Sequence, residues 1–138
     1  MSNSRRYARV VVLSALYQMD IGNVPLEKLI SLDWMENEVT EELKEFIRDL
    51  IRGTVDHLSG IDELIQKYSL HWSSDRISPV DKAILRFSIY SLLHRKDIPE
   101  KVVIDEAIEI SKLYSTEKSY QFINGILDGI KNKEIKKE

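Results

Sequence analysis

From Val39 to Leu58 the apolar residues fall at helical spacing, and no segment of the chain shows a convincing strand alternation. Val39, Leu43, Phe46, Ile47, Leu50, Ile51, Thr54, Val55 and Leu58 repeat at i, i+3, i+4 and i+7 for about five turns. Thr40, followed by Glu41 and Glu42, places an oxygen acceptor and negative charge at the start of that helix. A short break at Ser59-Gly60 leads into a second stripe of Ile61, Leu64, Ile65 and Tyr68. Ser59 and Asp62 there have capping-box spacing, with Asp in place of the preferred Glu.

The three prolines punctuate the rest, because a missing N–H is harmless in the first turn of a helix. Pro25 opens a short helix with Leu26, Leu29 and Ile30, and Pro79, capped by Ser78, opens one reaching about His94. Pro99 opens a helix to about Tyr114, and a last helix from about Glu117 to Ile130 carries Ile123, Ile126, Leu127 and Ile130. With a first helix from about Ser4 to Met19, the reading is all-α, about seven helices in one compact domain. The segment from Ser69 to Ser78 is the longest gap and joins an N-terminal subdomain, about 1–70, to a C-terminal one, about 75–131. No internal repeat is present, and the lysine-rich end from Lys131 reads as a frayed, solvated tail.

A chain of 138 residues has room for one domain with a real core, since a domain of that size buries roughly 68% of its unfolded surface. Cysteine is absent, which removes disulfides, thiolate nucleophiles and sulfur-bound metals and is compatible with a reducing cytoplasm. No run approaches the ~20 apolar residues of a membrane span. The apolar run Val10-Val11-Val12-Leu13 is too interrupted, by Tyr7, Arg9 and Gln18, to be a signal peptide. The net charge of -3 argues against nonspecific nucleic-acid binding by charge alone. Its distribution says more, for Arg5, Arg6 and Arg9 stand together with no acid before Asp20, while Glu36 to Glu45 is densely acidic. One basic face for a polyanion is the implication.

No catalytic constellation is visible. His57, His71 and His94 have no metal-ligand spacing, and the five glycines lie singly rather than in a phosphate loop. The reading is a binding protein with no cofactor, no metal and no catalytic residue.

Three segments carry polar groups in suggestive places. On the first helix Tyr17 falls about 20° from Arg6 and Arg9 about 60° away, with Arg5 adjacent. Arginine neutralises phosphate and an aromatic face stacks an unpaired base, so the grouping suits single-stranded RNA; the plainer reading is a solvated helix start and a core tyrosine. In Phe122-Ile123-Asn124-Gly125, Gly125 costs about 1 kcal/mol within a helix, which a second helix passing close by would explain. Asn124 would then bond an exposed backbone group, and Phe122 reads more readily as core than as a ligand contact. Asp81, Lys82 and Arg86 follow Pro79, with Lys82 and Arg86 on one face, either as solvated surface or as the polar rim of an interface.

At these segments the chain resembles the NusB family along nearly its whole length. The resemblance is carried by Arg5-Arg6-x-Ala8-Arg9 with Ala15-Leu16-Tyr17, by Val80-Asp81-Lys82-Ala83-Ile84-Leu85-Arg86, by Ile98-Pro99-x-Lys101-Val102 with Glu106-Ala107-Ile108-Glu109, and by Phe122-Ile123-Asn124-Gly125-Ile126-Leu127-Asp128. It implies two packed helical bundles. It also implies binding of the boxA element of ribosomal-operon leader RNA together with NusE, a small-subunit ribosomal protein, in a complex that helps RNA polymerase read through terminators. By motif, Arg5, Arg6, Arg9 and Tyr17 match the RNA-binding segment and Phe122 a position near the RNA path. Asp81, Lys82 and Arg86 match the side that meets NusE. The chain departs from the family in having Tyr7 where a third basic residue is common, and Lys118 where an acid is common.

About three phosphate contacts would give a log–log salt slope near -2, a modest electrostatic contribution that calls for cooperation with NusE. Two alternatives belong to other classes. One is the helical RNA-binding domain attached to some ribosomal RNA cytosine methyltransferases, although 138 residues leave no room for a catalytic domain. The other is a homodimer whose interface covers the RNA face.

Overall fold

The computed structural model describes residues 4–69 and 77–135; His71 and Trp72 lie outside them. The described residues form seven helices: α1 (Arg5–Gly22), α2 (Leu26–Ser31), α3 (Glu41–Asp56), α4 (Leu58–Tyr68), α5 (Pro79–His94), α6 (Glu100–Tyr114) and α7 (Ser119–Lys133). Three starts are fixed by hydroxyl caps. Ser4 accepts from the Arg6 and Tyr7 N–H groups, Thr40 from Leu43, and Ser78 from Asp81, with Pro79 at the first helical position.

The break between α3 and α4 falls earlier than the sequence suggested. Helix α3 stops at Asp56, where the His57 backbone N–H reaches the Gly53 carbonyl and its Nδ1 sits 2.9 Å from the same oxygen. Ser59 is consequently inside α4 and caps nothing, contrary to the capping-box reading.

Helix α5 is the axis of the molecule, packing against α1, α3, α4, α6 and α7. Ile84, Leu85, Phe87 and Ile89 lie on different sides of it and are all almost fully buried, as expected of a helix apolar all round. The remaining helices lay their stripes around it: Val12 and Leu16 from α1, Ile47, Leu50 and Ile51 from α3, Ile110 from α6, and Ile123, Leu127 and Ile130 from α7. These side chains belong to one contiguous core. Trp34 is half-buried, its indole N–H donating to the Leu29 carbonyl at 2.8 Å.

Gly125 does not mark a close helix crossing. It is exposed, and a Cβ built there would meet no atom within 4 Å. The close approaches occur at Gly53, where any side chain would collide with the Tyr90 ring, and at Gly129, whose Cβ would lie 2.7 Å from Tyr68 Cδ1. The side chain of Asn124, half-buried beside Gly125, makes no hydrogen bond among the described residues.

Candidate nucleic-acid interface

Arginine is an unfavourable choice for the first turn of a helix, where the backbone dipole is already positive. The fold supports the arginines of α1 from outside that helix. Arg6 is exposed and donates twice to Glu106 of α6, Nε to Oε1 at 3.2 Å and Nη2 to Oε2 at 2.6 Å. That two-pronged bond raises the Arg6 pKa above its ordinary value. Arg5 lies over the Phe46 ring of α3, 4.5 Å from its centroid, and has no ion pair among the described residues.

Arg9 departs from the reading of a solvated helix start. It is only 4% exposed, lies 5.4 Å from the Phe46 centroid, and keeps Nη1 3.7 Å from Glu106. Its Nη2 is buried and finds no hydrogen-bond partner among the described residues. Burial pulls the Arg9 pKa down, Glu106 opposes that, and the neighbouring Arg5, Arg95 and Arg6 reinforce it.

A fourth guanidinium joins them from the turn after α5. Arg95 lies 5.2 Å from the same ring and is anchored on its other side. It donates to both Asp97 oxygens, at 2.9 and 2.8 Å, and to Asp49 at 2.9 Å. Asp49 also accepts from the Tyr90 hydroxyl. The Arg95 bridge holds the Asp97 carboxyl at about 2 and raises the Arg95 pKa. Burial, then the bond to Asp49, pushes the Tyr90 hydroxyl up to about 12.

Arg5, Arg6 and Arg9 line an open pocket of about 460 Å³, closed by Asp97, Val102 and Glu106. Four cations thus meet Glu106, Asp97 and Asp49, with Glu109 acting on Arg6 from farther off, and Arg9 keeps a donor to spare. Guanidinium groups stay charged and offer only donors, so the chemistry this arrangement can supply is the holding of an anion. Sequence reasoning missed Phe46, Arg95 and Glu106 as parts of this cluster. Phe46 read as one more member of a core stripe, and nothing in the sequence marked Arg95.

The other candidate residues are not gathered around this pocket. Tyr17 is 40% exposed on α1, as stacking requires. Lys118 is exposed at the start of α7. Phe122, expected near an RNA path, is 9% exposed and belongs to the core. Helices α1 and α7 each pack on α5 and on α6, and the pocket lining contains no residue of α7.

Asp81 and Arg86, expected on a partner-facing side, are turned inward instead. Asp81 is 6% exposed and accepts from the hydroxyls of Ser115 at 2.6 Å and Ser119 at 2.8 Å. Arg86 is 7% exposed and donates to both oxygens of Asp62 at 3.0 and 2.9 Å, with Asp20 at 3.8 Å. These are ties between helices; of the three residues only Lys82 is half-exposed. The histidines, distant in sequence, are partly reunited: the His57 and His94 rings lie 4.1 Å apart. No group of three or more metal-ligating side chains occurs among the described residues, and no helix among them is long and apolar enough to cross a membrane.

The NusB family model matches residues 6–132. The transcription antitermination protein NusB of Thermotoga maritima is 43% identical over 138 residues, covering 100% of this chain and 97% of its own. The solved structure of T. maritima NusB superposes with a TM-score of 0.86 at 44% identity, over 96% of this chain and 94% of that one. A crystal structure of antitermination factors NusB and NusE in complex with double-stranded RNA contains a chain with a TM-score of 0.81 at 28% identity, over 96% of this chain and 98% of that one. With the helices, their order and nearly the whole length in agreement, the chain belongs to the NusB family.

Proposed function

We propose that this protein is a transcription antitermination factor that binds the boxA RNA of ribosomal-operon leaders together with NusE. In the cytoplasm the complex joins RNA polymerase and helps it read through terminators. The observation that carries the reading is Arg9. A guanidinium that is 4% exposed with an unspent Nη2 is costly to keep unless a partner completes it. A phosphate in the pocket shared with Arg5 and Arg6 would do so once the Arg9 guanidinium turns toward it, and Tyr17 on the same helix would stack an unpaired base. The neighbour solved with NusE and double-stranded RNA supports both partner classes. Lys82 remains available on the α5 side for NusE, with Asp81 and Arg86 fixing the helices beneath it.

Anisotropy of labelled boxA RNA, titrated with the protein with and without NusE at two salt concentrations, tests this. The expected result is tighter binding with NusE and a log–log salt slope of about -2 from about three phosphate contacts. A duplex of the same sequence decides whether stacking matters, since only the single strand offers Tyr17 an open base. No binding in any arm overturns the proposal. Light scattering across concentration tests the homodimer alternative: a dimer mass that falls on adding RNA would mean that a second copy covers this face.

A further inference from the structure

Phe46 sits within α3, outside every segment that the sequence singled out for binding. Its ring is 5% exposed, yet the guanidinium groups of Arg5, Arg9 and Arg95 lie 4.5, 5.4 and 5.2 Å from its centroid. Significant cation–π contacts occur roughly once per 70–80 residues. Three on one ring is a concentration that hydrophobic burial alone does not explain, because like charges brought together repel.

A carboxylate and an aromatic ring hold a guanidinium in different ways. The carboxylate cancels the charge and occupies the N–H fork. The ring attracts through its quadrupole, leaves the charge uncancelled, and leaves the in-plane N–H groups free to donate. Arg6 is held in the first way, both prongs on Glu106. Arg5 rests on the ring with no ion pair among the described residues, and Arg9, with Nη1 3.7 Å from Glu106, keeps Nη2 unspent. Arg95 differs again, since Asp97 and Asp49 hold its edge rigidly.

We propose that Phe46 is the positioning residue of the RNA face, holding Arg5 and Arg9 in place without occupying their N–H groups, with Arg95 as the brace on the same ring. The proposal rests on the RNA reading above, and Phe46 itself acts through the arginines. RNA affinity should therefore follow the electrostatics of the ring at position 46 rather than its size.

The full-length protein carrying mono-, di- or trifluorinated phenylalanine at position 46 is titrated into labelled single-stranded boxA RNA, with Phe46→Leu and Phe46→Tyr alongside. Successive fluorines drain the negative face of the ring while scarcely altering its packing. The expected result is a stepwise rise in Kd, reaching about fivefold for the trifluorinated ring, on the order of 1 kcal/mol. Phe46→Leu should match or exceed that loss, and Phe46→Tyr should restore binding. A flat fluorine series overturns the proposal.

Arginine Nε–H resonances give a readout that needs no RNA. Ring currents should displace the Arg5 and Arg9 signals in the wild type and leave them at ordinary positions in Phe46→Leu. Lost ring-current shifts with unchanged Kd overturn the role of Phe46 and leave the RNA reading standing. Wild-type protein that shows the shifts but binds no RNA removes both.

Discussion

The molecule holds two clusters of charged side chains that look alike in the sequence and differ in what they have left over. Around Asp81 and Arg86 the polar groups satisfy one another: Asp81 takes two serine hydroxyls, and Arg86 is spent on Asp62 with Asp20 nearby. Around Arg9 they do not, for Nη2 is buried without a partner and Arg5 rests on a ring. Both clusters contain an arginine less than a tenth exposed. Burial therefore does not separate the arginine that ties helices from the one proposed to bind RNA; unmet hydrogen-bonding capacity does. A satisfied buried network ties helices together, whereas an unsatisfied one is a cost that a ligand can remove.

The largest effect is expected at Asp81. Asp81→Ala removes two hydroxyl bonds to a charged acceptor and leaves Ser115 and Ser119 only each other and Thr116, so urea unfolding should show a loss of about 3 kcal/mol with no change in RNA affinity. Next comes a crossed pair. Arg86→Met should cost about 2 kcal/mol of stability, less than a broken fully buried pair because the Asp62 side chain is 42% exposed and can return to water. Its RNA affinity should stay at the wild-type value. Arg9→Met should do the reverse, weakening RNA binding about tenfold, or 1.4 kcal/mol, while its unfolding midpoint stays level or rises. Replacing an ill-compensated buried charge by an apolar side chain is often stabilising. If Arg9→Met unfolds as readily as Arg86→Met, the two clusters are both structural and the distinction fails.

The sequence displayed one half of this contrast and hid the other. Helix number, order and most starts were legible because stripe period, hydroxyl caps and prolines act locally. The end of α3 was not, since its stop depends on the His57 ring and backbone returning to the Gly53 carbonyl rather than on Ser59. The arginines of α1 were legible as a group, but the burial of Arg9 was not, because the ring and carboxylate that enclose it come from α3 and α6. Asp81 and Arg86 read as surface because charged residues usually are. Only the central position of α5, a tertiary fact, turns them inward.

The same distinction applies to glycines. Gly53 is spent on the close approach of Tyr90, whereas Gly125 gives up helix stability and receives no contact in return. Gly125→Ala should raise stability by about 0.5–1 kcal/mol, seen as a higher melting temperature. A lower one would show that the space above α7 is filled in solution.

The smallest effect concerns the brace behind the arginine cluster. The Asp97 carboxyl is held at about 2 by its bond to Arg95, below its ordinary 3.8. With the folded value depressed, the unfolded chain takes up the proton first as the solution is acidified. The stability lent by the bridge is therefore fully present above 3.8 and is lost as pH falls through about 2. The Asp97 side chain is 58% exposed, so solvent screening keeps the contribution small. Urea midpoints of wild type and Asp97→Asn, compared from about pH 5 to about pH 2, should differ most at the upper end and converge at the lower. A difference that stays constant across that range would mean that Asp97 does not titrate within the bridge. Asp49, on the Tyr90 side of the guanidinium, would then be the anchor that fixes Arg95 against Phe46.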